Sequence, residues 1–125
     1  MEQKLNELTR LIIGKAIEIH KTLGPGLLER VYQECLAFEL EELGLKVEVE
    51  KVLPVIYKQK KFDNGYRLDL LVENQIVIEV KHVEDVLSTH EAQVLTYMKL
   101  GQYPLGLLIN FNQTLLKHGI RRFIN

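Results

Sequence analysis

Two neighbouring segments, residues 66–73 and 76–81, are largely apolar and are the best candidate strands in the chain. They are rich in Leu, Ile and Val and meet at Asn74-Gln75. A third segment, residues 105–109, is apolar without alternation, which is typical of a strand covered on both faces. Strands of this kind need helices to cover them, so these segments predict a layered α/β fold.

The N-terminal part of the chain predicts two of those helices. Residues 5–20 carry apolar side chains at the three-to-four spacing of an amphipathic helix, namely Leu5, Leu8, Ile12, Ala16 and Ile19. Gly24-Pro25-Gly26 then breaks the chain. Pro25 is well placed to open a second helix over residues 25–43, which would end at Gly44.

Between the second and third helices the apolar period changes to two, which indicates strands. We expect an edge strand over residues 47–51, a further strand over residues 52–57 that Pro54 interrupts, and a charged turn over residues 58–61. Ser88 and Glu91 then match a capping box that opens a third helix, over residues 89–100.

The element order is helix, helix, a run of strands, helix and strand. This order predicts an α/β fold, a three-layer-like sandwich with a mixed central sheet flanked by helices. There are no internal repeats and no linker of Pro, Gly and Ser, so we expect one domain over residues 1–125.

Composition limits the classes of partner. Sixteen basic and seventeen acidic residues give a net charge of −1, so any attraction to nucleic acid must come from a local patch. The single Cys35 has no partner for an internal disulfide, which fits a reduced, cytoplasmic setting. The chain has no apolar run long enough to span a membrane and no secretory signal at its start, so no membrane partner is expected.

Charged residues within the two best strands are the chemically informative feature. Glu79 and Lys81 are two apart on one strand and therefore share a face of the sheet. In an antiparallel hairpin, Asp69 joins that face only if the connection has an odd number of residues or contains a bulge. We therefore predict a loop of three or five residues around Asn74.

Two carboxylates and a lysine can support metal chemistry. Mg²⁺ prefers oxygen ligands and keeps several waters, so two carboxylates and a backbone carbonyl suffice to hold it. A lysine beside an activated water can orient that water or stabilise charge in the transition state. On spacing alone, an ordinary ion-pair cluster on a solvated strand face is an equally open interpretation.

Four ordered motifs resemble a known family. Asp69 followed by Glu79-Val80-Lys81 resembles the pattern of the PD-(D/E)XK nuclease superfamily. The segment that begins at Gly26 and contains Glu29 and Tyr32 is similar to the motif of the GxxExxY proteins, a branch of that superfamily. Two further segments look like the same branch, namely His90-Glu91-Ala92-Gln93 with Tyr97, and Leu107-Leu108-Ile109-Asn110-Phe111. The resemblance covers about residues 11–125.

The resemblance implies a restriction-endonuclease-like core with a metal site where the central strands part. Asp69 and Glu79 would bind Mg²⁺ or Mn²⁺, with the Val80 carbonyl as a third ligand. Lys81 would act on the nucleophilic water, and Glu29 would support the metal site from the first core helix. The likeness also implies nucleic acid as a partner, DNA more than RNA, and a homodimer, because short members often dimerise.

Other residues are candidates for supporting roles. Gln93 and Tyr97, four apart on a helix, could reach Lys81 and a phosphate oxygen, with His90 on the same stripe. Tyr32 is expected to orient Glu29. His82 stands where the family pattern favours a small residue, and either packs or acts as a ligand or acid. Two basic groups could contact phosphates: Lys58, Lys60, Lys61 and Arg67, and Lys117, His118, Arg121 and Arg122.

These observations leave three functions open. The leading hypothesis is a Mg²⁺-dependent nuclease that hydrolyses phosphodiester bonds through a metal-activated water. The alternative is a catalytically silent module that keeps the fold and binds nucleic acid or protein, which the near-neutral charge favours. A third is hydrolysis of a small phosphorylated metabolite or nucleotide by the same chemistry.

Overall fold

The computed structural model describes residues 2–125 and contains three helices, five strands and one short 3₁₀ helix. The helix α1 places its apolar stripe inward, so that Leu8, Ile12 and Ala16 are buried. The elements in chain order are α1 (Glu2–Leu23), α2 (Glu29–Glu42), β1 (Val47–Tyr57), β2 (Lys60–Val72), β3 (Ile76–Lys81), α3 (Ser88–Gly101), β4 (Leu105–Asn110), the 3₁₀ helix (Leu116–Gly119) and β5 (Ile120–Ile124).

The five strands form one mixed sheet in the order β1-β2-β3-β4-β5. β3 and β4 are parallel, because α3 forms the crossover between them, and the other pairs are antiparallel. α1 and α2 cover one face, where Leu70, Ile78 and Ile109 belong to a core shared with both helices. α3 covers the other face through Val94 and Met98. The predicted α/β sandwich with a mixed central sheet is thus confirmed.

The boundaries around the second and third helices differ from the predictions. α2 begins at Glu29, not at Pro25, because the hydroxyl of Tyr32 holds the preceding loop by donating to the Gly24 carbonyl and accepting the Leu27 N–H. At the start of α3 the N-cap is Leu87, whose N–H donates to Nδ1 of His90 over 2.9 Å. The predicted capping box of Ser88 and Glu91 is therefore wrong.

The strands also differ from the predictions at three places. Residues 47–57 form one strand, since Pro54 sits at a register shift in the pairing with β2 that does not end β1. The turn is only Lys58-Gln59, whose positive φ angles suit a tight hairpin, so Lys60 and Lys61 belong to β2. β5 was not predicted, because it is a short edge strand without clear apolar alternation.

A membrane-spanning helix is not among the elements described. Within residues 2–125, none of the helices is both long enough and apolar enough to cross a bilayer. The sheet and its helices instead bury their apolar side chains against one another.

Candidate active site

The two central strands part at one end of their pairing. β2 and β3 pair at Leu70 with Ile78, Leu71 with Val77, and Val72 with Ile76. The connection between them is three residues, 73–75, which confirms the predicted odd-numbered loop. Asp69 and Glu79 are the next residues on the two strands, at the point where the ladder ends.

Each of these acids accepts a hydrogen bond from the backbone of the opposite strand. The Asp69 N–H donates to Oε2 of Glu79 over 2.9 Å, and the Val80 N–H donates to Oδ2 of Asp69 over 2.9 Å. Side-chain oxygens thus occupy the gap that backbone carbonyls would fill in a continued ladder. Asp69 and Glu79 therefore lie together between the parting strands, as the sequence pattern predicts.

Burial of this acid pair disfavours negative charge. Glu79 is only 2% exposed, and burial together with the nearby Asp69 charge raises its pKa from 4.5 to about 8. Burial also raises the pKa of Asp69, although the Val80 N–H and the Lys81 charge act in the opposite direction. The pair is therefore short of positive charge, which a cation would supply.

Lys81 is held beside the acids by a chain of side chains from α3. Its Nζ donates to Oε1 of Gln93 over 3.1 Å, and Nε2 of Gln93 donates to the Tyr97 hydroxyl over 2.8 Å. The predicted contact between Gln93 and Lys81 is confirmed. The ring of Tyr97 stacks on Tyr66 at a centroid distance of 4.9 Å, and this contact holds the end of the hydrogen-bonded series that is farthest from Lys81.

Glu29 reaches the site from the first residue of α2. Its Oε2 accepts the His82 N–H over 2.9 Å, so it holds the backbone directly after Lys81. Its negative charge also raises the pKa of Asp69 and of Glu79. Tyr32 does not orient Glu29 as predicted, because its hydroxyl is bonded to Gly24 and Leu27.

His82 packs on the side of the sheet that faces α2. Its Nε2 is hydrogen-bonded to the Pro25 carbonyl, and its ring is stacked with that of Tyr32 at 6.2 Å. Tyr32 in turn stacks on Phe111 at 4.3 Å. Of the two interpretations of His82, the structure supports packing.

Asn110 is a site residue that the sequence reasoning did not assign. It is fully buried at the end of β4. Its Oδ1 accepts the Val83 N–H over 3.0 Å, and its Nδ2 donates to the Val83 carbonyl over 2.9 Å. The Phe111 N–H also donates to the Lys81 carbonyl over 2.9 Å, so the end of β4 holds the segment that follows Lys81. In the sequence, this role was indicated by a polar residue at the end of an otherwise apolar strand.

Comparison with known families agrees with this geometry. The family model described as the PD-(D/E)XK nuclease superfamily matches residues 6–123. The chain belongs to the PD-(D/E)XK nuclease superfamily. Searches of curated proteins and of solved structures gave no match. The closer assignment to the GxxExxY branch stays a prediction from the motifs at Gly26, Glu29 and Tyr32.

Nucleases of the PD-(D/E)XK superfamily generally use divalent metal ions. Within residues 2–125, no group of three or more His, Cys, Asp and Glu side chains is placed to hold a metal ion. Mg²⁺ does not need such a group, because it retains waters and is often bound through one or two carboxylates. The buried acid pair, whose negative charge Lys81 offsets only in part, therefore fits a hard divalent cation.

Proposed function

We propose that this protein is a Mg²⁺-dependent nuclease that hydrolyses phosphodiester bonds in DNA rather than RNA. The observation that carries the proposal is the position of Asp69 and Glu79 between the parting strands, with Lys81 held beside them by Gln93. Membership of the PD-(D/E)XK nuclease superfamily supports the same reaction class.

The residues that would hold the cation are Asp69 and Glu79, with the Val80 carbonyl as a third oxygen ligand. When bound, Mg²⁺ supplies charge neutralisation at the phosphate and a lowered pKa for the attacking water. Mn²⁺ is expected to substitute, because carboxylate, carbonyl and water oxygens suit both ions.

Three further side chains have separate roles in this proposal, namely Lys81, Gln93 and Tyr97. Nζ of Lys81 orients the attacking water and stabilises negative charge on the phosphate, while Gln93 keeps that nitrogen in place. The Tyr97 hydroxyl accepts a hydrogen bond from Gln93, so its own proton is free to be donated to a phosphate oxygen. Burial raises the pKa of Tyr97, which keeps that proton in place at neutral pH.

Glu29 acts as a positioning residue in this proposal. It accepts the N–H of His82 and so fixes the backbone next to Lys81. The superfamily likeness assigns Glu29 to the metal site, and a comparison of its Gln and Ala variants distinguishes the two roles.

The direct test is nicking of supercoiled plasmid DNA in the presence of Mg²⁺. We expect cleavage by the wild-type protein, loss of cleavage with EDTA, and loss in Lys81→Ala. Lys21→Ala, which changes an exposed lysine on α1, is the matched control and should cut normally. Absence of Mg²⁺-dependent cleavage of plasmid, branched and single-stranded DNA would refute the proposal.

The second candidate is a catalytically silent module that keeps the fold and binds nucleic acid or protein. The net charge of −1 favours it, because positive charge strengthens the binding of a nuclease to long DNA. Calorimetry with Mg²⁺ or Mn²⁺ separates the two. A nuclease should take up metal in the wild type and lose that uptake in Asp69→Ala, whereas a silent module should show no uptake that depends on Asp69.

A further inference from the structure

β1 and β2 extend beyond the central sheet as a two-stranded ribbon of residues 52–67. β3 pairs with β2 only at Leu70, Leu71 and Val72, so in the part of the chain described this stretch of β2 has β1 as its strand partner. The hairpin turn Lys58-Gln59 forms the tip. Most ribbon side chains are exposed, including the large apolar side chain of Ile56 at 71%.

The ribbon concentrates positive charge in a chain that is otherwise nearly neutral. Residues 52–67 contain four basic residues, Lys58, Lys60, Lys61 and Arg67, against the single acid Asp63. Aromatic side chains accompany two of the lysines: Nζ of Lys58 is 5.4 Å from the Tyr57 ring centroid, and Nζ of Lys60 is 5.2 Å from that of Phe62. The tip thus offers a cluster of cations on exposed strands.

The base of the ribbon adjoins the candidate active site. Tyr66 stacks on Tyr97, which is hydrogen-bonded to Gln93, and Gln93 holds Lys81. Asp69 follows the ribbon by two residues on the same strand. A duplex that contacts the tip lysines and runs along the ribbon would therefore reach the acid pair at its base.

We propose that the ribbon enters the major groove of duplex DNA and that Lys58, Lys60 and Lys61 contact the phosphates that border this groove. This inference rests on the proposed function, because that function makes nucleic acid the substrate. The major groove of B-form DNA admits a two-stranded β-ribbon. The deep, narrow major groove of an A-form RNA duplex does not admit protein side chains in the same way.

Two other arrangements fit the charges less well. The second basic group, at residues 117–122, lies near the opposite edge of the sheet, where Arg121 is bonded to Glu91 and Arg122 to Asn6. In the ribbon, Arg67 pairs with Glu50 and Lys61 lies 3.8 Å from Asp63. Among the described residues, Lys58 and Lys60 form no ion pair, so the tip retains unneutralised positive charge. A second copy of the chain docked ribbon to ribbon would bring identical lysine clusters together, which is unfavourable.

The test measures binding of a short DNA duplex by protein that also carries Lys81→Ala, so that the DNA is not cut. The ribbon variant is Lys58→Gln, Lys60→Gln and Lys61→Gln. The control variant is Lys4→Gln, Lys21→Gln and Lys46→Gln, which removes the same charge from exposed positions outside the ribbon. Circular dichroism and thermal unfolding check that both variants are folded.

The ribbon variant should bind the duplex at least about tenfold more weakly at low salt. The slope of log binding constant against log salt concentration should be shallower by about 0.9 for each lysine removed. The control variant should stay close to the parent. Bound parent protein should protect guanine N7, which lies in the major groove, from dimethyl sulfate. Duplex RNA of the same sequence should bind more weakly than the DNA.

Equal affinities of the ribbon and control variants, or unprotected guanine N7, would overturn the inference. A change in oligomeric state without a change in DNA affinity would also overturn it and assign the ribbon to a second copy. Because binding is measured without cleavage, failure of the proposed function is seen separately. Ribbon-dependent binding without Mg²⁺-dependent nicking by wild-type protein would refute the nuclease proposal alone.

Discussion

The buried pair Asp69 and Glu79 makes the stability of the metal-free protein depend on pH. Glu79 has a folded pKa of about 8 against an ordinary value of 4.5, so between these values the folded chain binds more protons than the unfolded chain. The free energy of unfolding must therefore fall as pH rises through this window. Asp69 contributes in the same direction because burial raises its pKa too.

We predict that the protein in EDTA loses about 2–4 kcal/mol of unfolding free energy between pH 5 and pH 8 relative to Glu79→Gln. Urea denaturation at several pH values measures this difference. Glu41→Gln, on the exposed side of α2, should keep the wild-type pH dependence. A Glu79→Gln variant with the same pH dependence as the wild type would show that Glu79 titrates normally.

The two candidate roles of Glu29 predict different results for two variants. Gln retains an oxygen that accepts the His82 N–H, whereas Ala does not. We expect Glu29→Gln to cut DNA within a few-fold of wild type and Glu29→Ala to lose about 10²-fold, because Lys81 is then misplaced. If instead Gln loses as much as Ala and both need more Mg²⁺, the charge of Glu29 matters and it belongs to the metal site.

At the scale of elements, Gly106 sets how closely α3 approaches β4. A Cβ at Gly106 would lie 2.6 Å from Sδ of Met98 and 2.7 Å from Cγ1 of Val94, both on α3. Any larger residue must therefore displace the side chains of Met98 and Val94 or move α3 away from the sheet. α3 also carries Gln93 and Tyr97, so this spacing matters to the site as well as to the core.

We predict that Gly106→Ala lowers the free energy of unfolding by about 1–3 kcal/mol and reduces plasmid cleavage, because of overpacking between α3 and β4. Gly14→Ala is the matched control: a Cβ at this position within α1 meets no atom within 4 Å. It should raise stability by up to about 1 kcal/mol and leave cleavage unchanged. Equal effects of the two substitutions would contradict this account of the packing.

Apolar periodicity predicted the elements that build the core, and it failed where other interactions set the boundaries. β3, β4 and the stripe of α1 were predicted because burial selects their side chains directly. The start of α2 depends on the Tyr32 hydroxyl, and β5 depends on pairing with β4 through the polar Arg121 and Arg122. Neither interaction leaves a local pattern in the sequence.

The candidate site was predictable to the extent that strand geometry decides it. An odd-numbered loop was enough to bring Asp69 opposite Glu79, and helical spacing placed Gln93 near Lys81. The bonds of Glu29 to His82 and of Asn110 to Val83 could not be predicted in the same way. Both join a side chain to a backbone group that is distant in sequence.

At the scale of the whole molecule, helices cover both faces of the sheet, and the candidate active site lies at the end of the β2–β3 pairing, where the acid pair is. A net charge of −1 gives the whole molecule no long-range attraction to DNA. The proposed function therefore assigns DNA binding to a local cation site and to the basic ribbon.

The most direct test of this account is a crystal soaked in Mn²⁺ and measured at a wavelength where Mn²⁺ scatters anomalously. We predict an anomalous peak in contact with the carboxylates of Asp69 and Glu79, and its loss in Asp69→Ala crystals soaked in the same way. No peak between these two acids, with both side chains still hydrogen-bonded to the opposite backbone, would contradict the central claim.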